Sequence, residues 1–170
     1  MHIEQQIATR KSLRQSLAPI AAELGLYISG IAFVLTPKGL TVQLYLDGPQ
    51  GVGIADCATF SREASPILDA EDLISSSYTL EVSSPGFDRL IECQQDFQRF
   101  QGFHIRVKIF NRKNKLDGVL LSSNDDGFVI QTSHNDRSLS FEEVYSVRLA
   151  PTSEEIQKLA QITPQGEKKA

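Results

Sequence analysis

In the first half of the chain, apolar residues recur with the period of a helix in some segments and with the period of a strand in others. These segments predict helices at 3–24 and 54–68, and strands at 26–35, 40–47 and 77–83. Gly25 is placed to end the first helix, and residues 36–39 form a hairpin turn between the first two strands. The pattern therefore predicts an αββαβ domain, in which three strands and two helices form two layers around one core.

The second half has short apolar runs separated by turns. They predict strands at about 104–110, 117–122, 127–132, 138–141 and 144–149, after a short helix at 96–102. Five short strands at this spacing are typical of a small β-barrel of the Sm-like or SH3-like kind. Thr152 and Glu155 form a capping-box pattern that predicts a short helix at 153–161. The polar residues 163–170 are predicted to be disordered.

The length and composition fit a globular α+β protein of two small domains. The 170 residues are 41% hydrophobic and 22% charged. We expect an N-terminal domain at 1–88, a barrel domain at 89–150, and a short helix with a disordered tail at 151–170. No apolar run approaches the ~20 residues of a membrane-spanning helix, and the N-terminus does not resemble a signal peptide. Two cysteines without metal or redox spacing are expected to be reduced thiols of a cytoplasmic protein.

Charge is distributed unevenly along a chain whose net charge is −4. Residues 54–88 carry seven acidic side chains and one basic one, whereas residues 97–116 carry six basic side chains and no acidic one. The net charge disfavours indiscriminate binding of polyanions. The uneven distribution of charge predicts an acidic first half and a basic stretch in the second half.

The residues offer little support for catalysis. His104 opens a strand and His134 lies in a turn, and no serine stands in a Gly-x-Ser-x-Gly context. No spacing of cysteines, histidines or carboxylates is typical of a metal site. We therefore expect no enzyme activity, no cofactor, no metal and no small-molecule substrate.

A basic strand and its following loop are the candidate binding residues. Strand alternation sends Ile105, Val107 and Ile109 toward the core and His104, Arg106 and Lys108 together to the other face. The loop adds Arg112, Lys113 and Lys115. Such side chains can contact phosphates without reading sequence, but a solvated outer face would have the same composition. Tyr45 is the one aromatic residue that the pattern predicts on an open sheet face, which is too little to predict base stacking.

The strand at 77–83 runs into Ser83-Ser84-Pro85-Gly86, followed by Asp88-Arg89. Pro85 fixes its own φ and Gly86 can adopt a positive φ, so the string predicts a type II turn. On physical grounds alone this is a strand with a sharp exit.

The string Leu80-Glu81-Val82-Ser83-Ser84-Pro85-Gly86-Phe87-Asp88-Arg89 resembles the signature of the bacterial ribosome maturation factor RimP family. Upstream, Asp56-Cys57-Ala58, Ser61-Arg62-Glu63 and Leu68-Asp69 are similar to that family's second helix, and the resemblance extends from about residue 10 to 150. Leu90 stands where the family usually has proline, which suggests a less rigid linker.

The resemblance implies an αββαβ domain, a hinge within 87–95 and an Sm-like barrel. It also implies a monomeric, non-enzymatic factor that binds immature 30S ribosomal subunits through 16S rRNA and a ribosomal protein. By analogy, the functional or interdomain surface would comprise Glu81, Ser83, Ser84, Pro85, Gly86, Asp88 and Arg89.

Two alternatives stay open at this point. One is an Sm-like regulator of short RNAs, which would assemble into a ring through barrel edges. The other is a small hydrolase that uses serine and histidine, and it would depend on His104 or His134.

Overall fold

The computed structural model describes residues 3–162, and their side chains from 5 to 160. The helices are α1 (Ile3–Glu23), α2 (Ile54–Glu71), α3 (Gln94–Arg99) and α4 (Ser153–Ile162). The strands are β1 (Tyr27–Thr36), β2 (Gly39–Asp47), β3 (Tyr78–Ser83), β4 (His104–Ile109), β5 (Leu116–Ser123), β6 (Gly127–Gln131), β7 (Asp136–Ser140) and β8 (Val144–Leu149). The mixed α+β class is confirmed, and the predicted disordered tail at 163–170 lies outside the described residues.

Backbone contacts divide the described chain into two compact units, and the division falls between Pro85 and Gly86. Each unit has its own core. None of the helices within residues 3–162 is long and apolar enough to cross a membrane.

The first unit has the predicted αββαβ order. Its sheet has the order β1-β2-β3, with β1 antiparallel and β3 parallel to β2. The tight turn from Thr36 to Gly39 joins the antiparallel pair, while α2 makes the long connection that a parallel pair requires. At the start of α2 the Asp56 carboxylate accepts the Gly53 N–H at 2.8 Å, which satisfies an end group of the helix.

The core of the first unit lies on one face of this sheet. Leu17 of α1, Phe60 of α2 and Leu44 of β2 are fully buried together. Because β2 alternates, Gln43 and Tyr45 lie on the other face, beside Glu81 of β3. The predicted two-layer packing leaves this second face polar.

The second unit has one five-stranded antiparallel sheet, and each of the five predicted strands is present. The strand order is β7-β6-β5-β4-β8, so the edge strands are consecutive in sequence. In a flat sheet they would stand about 19 Å apart. Only the 3-10 turn Phe141–Glu143 joins them, and Ser140 to Val144 spans at most about 14 Å. The sheet must therefore curl strongly. No hydrogen-bonded pairing between β7 and β8 is found among the described strands, so closure into a barrel remains a prediction.

The core of the second unit fills the inside of the curl. Ile105, Leu120 and Ile130 are fully buried, and the rings of Phe97, Phe128 and Phe141 pack with centroids 5.1–5.8 Å apart. Leu159 of α4 belongs to the same core. The predicted capping box starts this helix, because the Thr152 N–H donates to Glu155 Oε2 at 2.8 Å and the Glu155 N–H donates to Thr152 Oγ1 at 3.3 Å.

Candidate nucleic-acid interface

Strand β4 presents the predicted basic side chains. Its alternate residues Ile105 and Val107 are fully buried, whereas Arg106 and Lys108 are exposed. The predicted alternation is confirmed, and it follows from the pleat of a strand with one face on a core. His104 is only half exposed, because its ring Nδ1 lies 2.9 Å from Glu155 Oε1 of α4.

Arg106 has an acidic partner across the sheet. Asp117 of β5 is its register partner, and Arg106 Nε donates to Asp117 Oδ1 at 2.7 Å. The hydrogen bond and the negative charge of Asp117 raise the pKa of the Arg106 guanidinium above its ordinary value. Counting charges along residues 97–116 missed this pair, because Asp117 is the next residue in the chain and only the strand register brings it to Arg106. Arg106 therefore adds less net positive charge to this face than the sequence suggests.

Lys108 lies against an aromatic ring. Its Nζ is 4.6 Å from the centroid of the Tyr145 ring on the neighbouring strand β8, within the range of a cation–π contact. Tyr145 in turn meets Phe110 edge to face, with ring centroids 5.5 Å apart and planes at 89°. Both rings are solvent-accessible, with 46% of Tyr145 and 41% of Phe110 exposed.

These side chains surround one open groove of about 370 Å³. Its lining consists of Lys108, Ile109, Phe110, Asn111, Arg112, Lys113 and Tyr145. Asn111 adopts a left-handed backbone conformation, with φ of +59°, as the chain leaves β4. The structure thus brings Lys108, Arg112 and Lys113 together, while Lys115 is exposed in the same loop but does not line the groove.

The aromatic pair was missed at the sequence level, where Tyr45 was the one aromatic residue placed on an open face. Part of the signal was present, because Phe110 continues the outward alternation of Arg106 and Lys108. Tyr145 could not be located in this way, since its position beside Lys108 depends on the pairing of β4 with β8.

The polar face of the first unit contains part of the sequence motif. Glu81 accepts a hydrogen bond from the Gln43 amide at 3.0 Å, and Gln43 accepts one from the Tyr45 hydroxyl at 2.9 Å. Ser83 is exposed at the end of β3, opposite Tyr45 in the register. Glu81, Gln43 and Tyr45 therefore form a continuous hydrogen-bonded row across two strands.

The predicted type II turn with Pro85 and Gly86 at its two central positions is wrong. The backbone φ of Gly86 does not lie in the positive region that this turn requires of its third residue. Residues 84–86 have no regular structure and precede a turn at 87–88. Ser84 is exposed and Pro85 half-buried, and the second unit begins at Gly86.

Asp88 and Arg89 are held within the second unit. Arg148 of β8 donates to the Asp88 carbonyl oxygen at 2.5 Å. Arg89 is only 9% exposed, pairs with the buried carboxylate of Asp96, and places its guanidinium carbon 4.5 Å over the Phe100 ring.

The backbone around Leu90 is tied to β8. The Ile91 N–H donates to the Val147 carbonyl at 2.9 Å, and the Leu149 N–H donates to the Arg89 carbonyl at 2.8 Å. Leu90 itself is the bridge partner of Arg148. The backbone on both sides of Leu90 is therefore fixed by hydrogen bonds, without the proline that the motif usually carries there.

Across residues 5–160, no group of three histidine, cysteine, aspartate or glutamate side chains is placed to hold an ion.

A family model described as the RimP N-terminal domain matches residues 16–88. The match covers most of the first unit and includes the motif from Leu80 to Asp88. It confirms the family assignment that the motif predicted, and it supports a role of the RimP type in ribosome maturation.

Proposed function

We propose that this chain is an assembly factor for the small (30S) ribosomal subunit. Its N-terminal domain supports its assignment to the RimP family. The observation that carries the proposal is the match of residues 16–88 to the RimP N-terminal domain. The protein acts in the cytoplasm as a monomer, binds immature subunits transiently, and has no enzyme activity or cofactor.

The basic groove is the proposed contact with 16S rRNA. Lys108, Arg112 and Lys113 line it, and Lys115 extends the positive charge along the same loop. Lysine and arginine bind phosphates largely independently of base sequence, and releasing the counterions of RNA favours association. Arg106 contributes less to this contact because Asp117 already accepts its hydrogen bond.

The first unit is the proposed contact with a ribosomal protein. Residues 1–85 carry nine acidic and five basic side chains. The row of Glu81, Gln43 and Tyr45 offers hydrogen-bonding groups beside the exposed Ser83. Ribosomal proteins that bind rRNA are basic, so the net negative charge of the first unit complements them.

The mechanism is a shift of populations without covalent chemistry. A factor that binds one arrangement of an immature subunit more tightly than its alternatives raises the population of that arrangement. The factor then dissociates once the mature arrangement no longer offers the binding surface. This requires a higher affinity for immature than for mature subunits.

Co-sedimentation of the full chain with immature and mature small subunits, across a series of salt concentrations, tests this function. We expect preferential binding to immature particles that weakens as salt rises. The variant Arg112→Ala/Lys113→Ala/Lys115→Ala should weaken binding and reduce the slope of log affinity against log salt by about 2, since each lost phosphate contact removes about 0.7–0.9.

The matched control is Lys38→Ala/Arg62→Ala/Lys158→Ala, which removes the same charge from exposed positions outside the groove. An equal effect of both triple variants would show that only net charge matters. Absence of binding to either kind of subunit at every salt concentration would refute the proposed function.

A further inference from the structure

Phe110 and Tyr145, like Phe87, are exposed aromatic residues of the second unit, and of these three only they line the groove. Phe97, Phe100 and Phe128 are at least 96% buried, whereas the two groove rings leave nearly half of their surface in contact with water. Exposing apolar ring area costs free energy of roughly 25 cal/mol per Å². The two rings also support each other edge to face, which holds Tyr145 in place without burying it.

The charged residues that line the groove with these rings are all positive. The seven residues that line the groove include Lys108, Arg112 and Lys113 and no acidic residue. The nearby Glu143 is engaged elsewhere, because its carboxylate accepts the Ser140 N–H at 3.0 Å at the start of the 3-10 turn. The groove therefore combines an accessible π surface with positive charge on both sides.

A single-stranded nucleic acid carries both complementary features on one repeating unit. Each nucleotide has a planar base that stacks on an aromatic ring and a phosphate that binds lysine or arginine. In a duplex the bases are stacked on each other, so only the phosphates are accessible to such a groove. The groove volume of about 370 Å³ lies at the lower end of the ~300–1,000 Å³ that ligand sites occupy.

We propose that this groove binds an unpaired nucleotide of RNA, whose base stacks on Tyr145 while the adjacent phosphates contact Arg112 and Lys113. The base takes the place of the Lys108 ammonium over the Tyr145 ring, and Lys108 is then free to contact a phosphate. This inference rests on the proposed function, since it specifies which kind of rRNA segment the basic groove takes. The second unit would thereby distinguish unpaired from paired rRNA, as a factor that senses immature particles must.

Fluorescence anisotropy of the full chain tests the inference with two labelled RNAs: an unstructured octamer and a hairpin duplex with the same number of phosphates. We expect the octamer to bind more tightly. Tyr145→Leu should weaken octamer binding by about tenfold, from the loss of one stacked base, and leave duplex binding unchanged. Tyr145→Phe retains the ring and should bind as the wild type does.

The matched control is Leu121→Ala, which removes another exposed apolar side chain of the same unit, outside the groove. We expect wild-type affinity for it. Circular dichroism of each variant shows whether the fold is intact, and Phe110→Leu provides a second test of the aromatic pair should Tyr145→Leu fail to fold.

The outcomes separate this inference from the proposed function. Octamer binding that survives both Tyr145→Leu and Phe110→Leu, or no octamer binding at all, overturns the stacking site even if co-sedimentation with immature subunits persists. Tyr145-dependent octamer binding without any subunit binding would leave a single-strand site and refute the assembly role.

Discussion

At the scale of single residues, the motif at 80–89 has parts with different structural roles. Glu81 and Ser83 are exposed on the first unit, whereas Arg89 is buried in the second with Asp96 and Phe100. A buried arginine needs such partners, because an unpaired charge in the interior costs several kcal/mol. A sequence motif can therefore combine surface residues with residues that hold the fold.

The residue after this motif gives a prediction about stability. Neither backbone hydrogen bond to β8 uses the Leu90 N–H, so a proline at position 90 removes no bond of this pair. We expect Leu90→Pro to stabilise the second unit by about 0.4–1 kcal/mol through a less flexible unfolded chain. Hydrogen exchange of β4 amides measures the effect, with β1 amides of the first unit as an internal reference.

The control for this prediction lies one residue further on. Ile91→Pro deletes the N–H that donates to Val147 and removes a side chain that is 97% buried. It should destabilise the second unit by about 3 kcal/mol or more. Comparable effects of the two prolines would contradict the bonding pattern at Leu90.

At the scale of elements, α4 is joined to β4 by hydrogen bonds of Glu155 as well as by its apolar face. Glu155 accepts hydrogen bonds from the Thr152 N–H at 2.8 Å and from the His104 N–H at 3.2 Å, and it faces the His104 ring. Burial alone would raise the pKa of Glu155, but the bonds from Thr152 and His104 outweigh it and lower the pKa below its ordinary value.

This arrangement predicts a stability loss in acid. A carboxylate with a lowered pKa in the folded state stabilises it above the unfolded-state pKa of about 4.3, and that contribution is lost as the pH falls through the folded value. Hydrogen exchange of α4 should therefore accelerate relative to the rest of the unit below about pH 4.5. Glu155→Gln should remove most of this pH dependence, whereas the exposed Glu154→Gln should retain it.

The elements themselves were the most predictable part of the molecule. Periods of 2 and 3.6 depend on local sequence, so the helices and strands followed from residues a few positions apart. The pairs Arg106–Asp117 and Lys108–Tyr145 depend on strand pairing between distant segments, which no local pattern contains. Only the β4 side of the groove could therefore be predicted from the sequence.

At the scale of the whole molecule, two units with separate cores carry different surfaces: a polar sheet face in the first and a basic aromatic groove in the second. The curl of the second sheet follows from its edge strands being consecutive in sequence. Two weak contacts on one chain gain affinity because binding of the first raises the local concentration of the second.

This gives a prediction about fragments. Residues 1–85 and 86–170 should each bind immature subunits at least about 100-fold more weakly than the intact chain, and mixing the two fragments should not restore binding. Competition of each fragment against labelled intact protein measures this. A fragment that binds as tightly as the intact chain would show that the other unit makes no contact.

The pairing of β8 with both β4 and the segment at 89–91 sets the order of events during synthesis of the chain. The first unit has its last strand once residue 83 has left the ribosome. The second unit cannot complete its sheet until residue 149 has emerged, about 3–13 s later at 5–20 residues per second. During the last about 2–8 s of that interval, between the emergence of residue 109 and that of residue 149, β4 and Ile91 lack their partner strand β8. The nascent chain thus carries one folded unit and one exposed edge, and β8 ends that exposure.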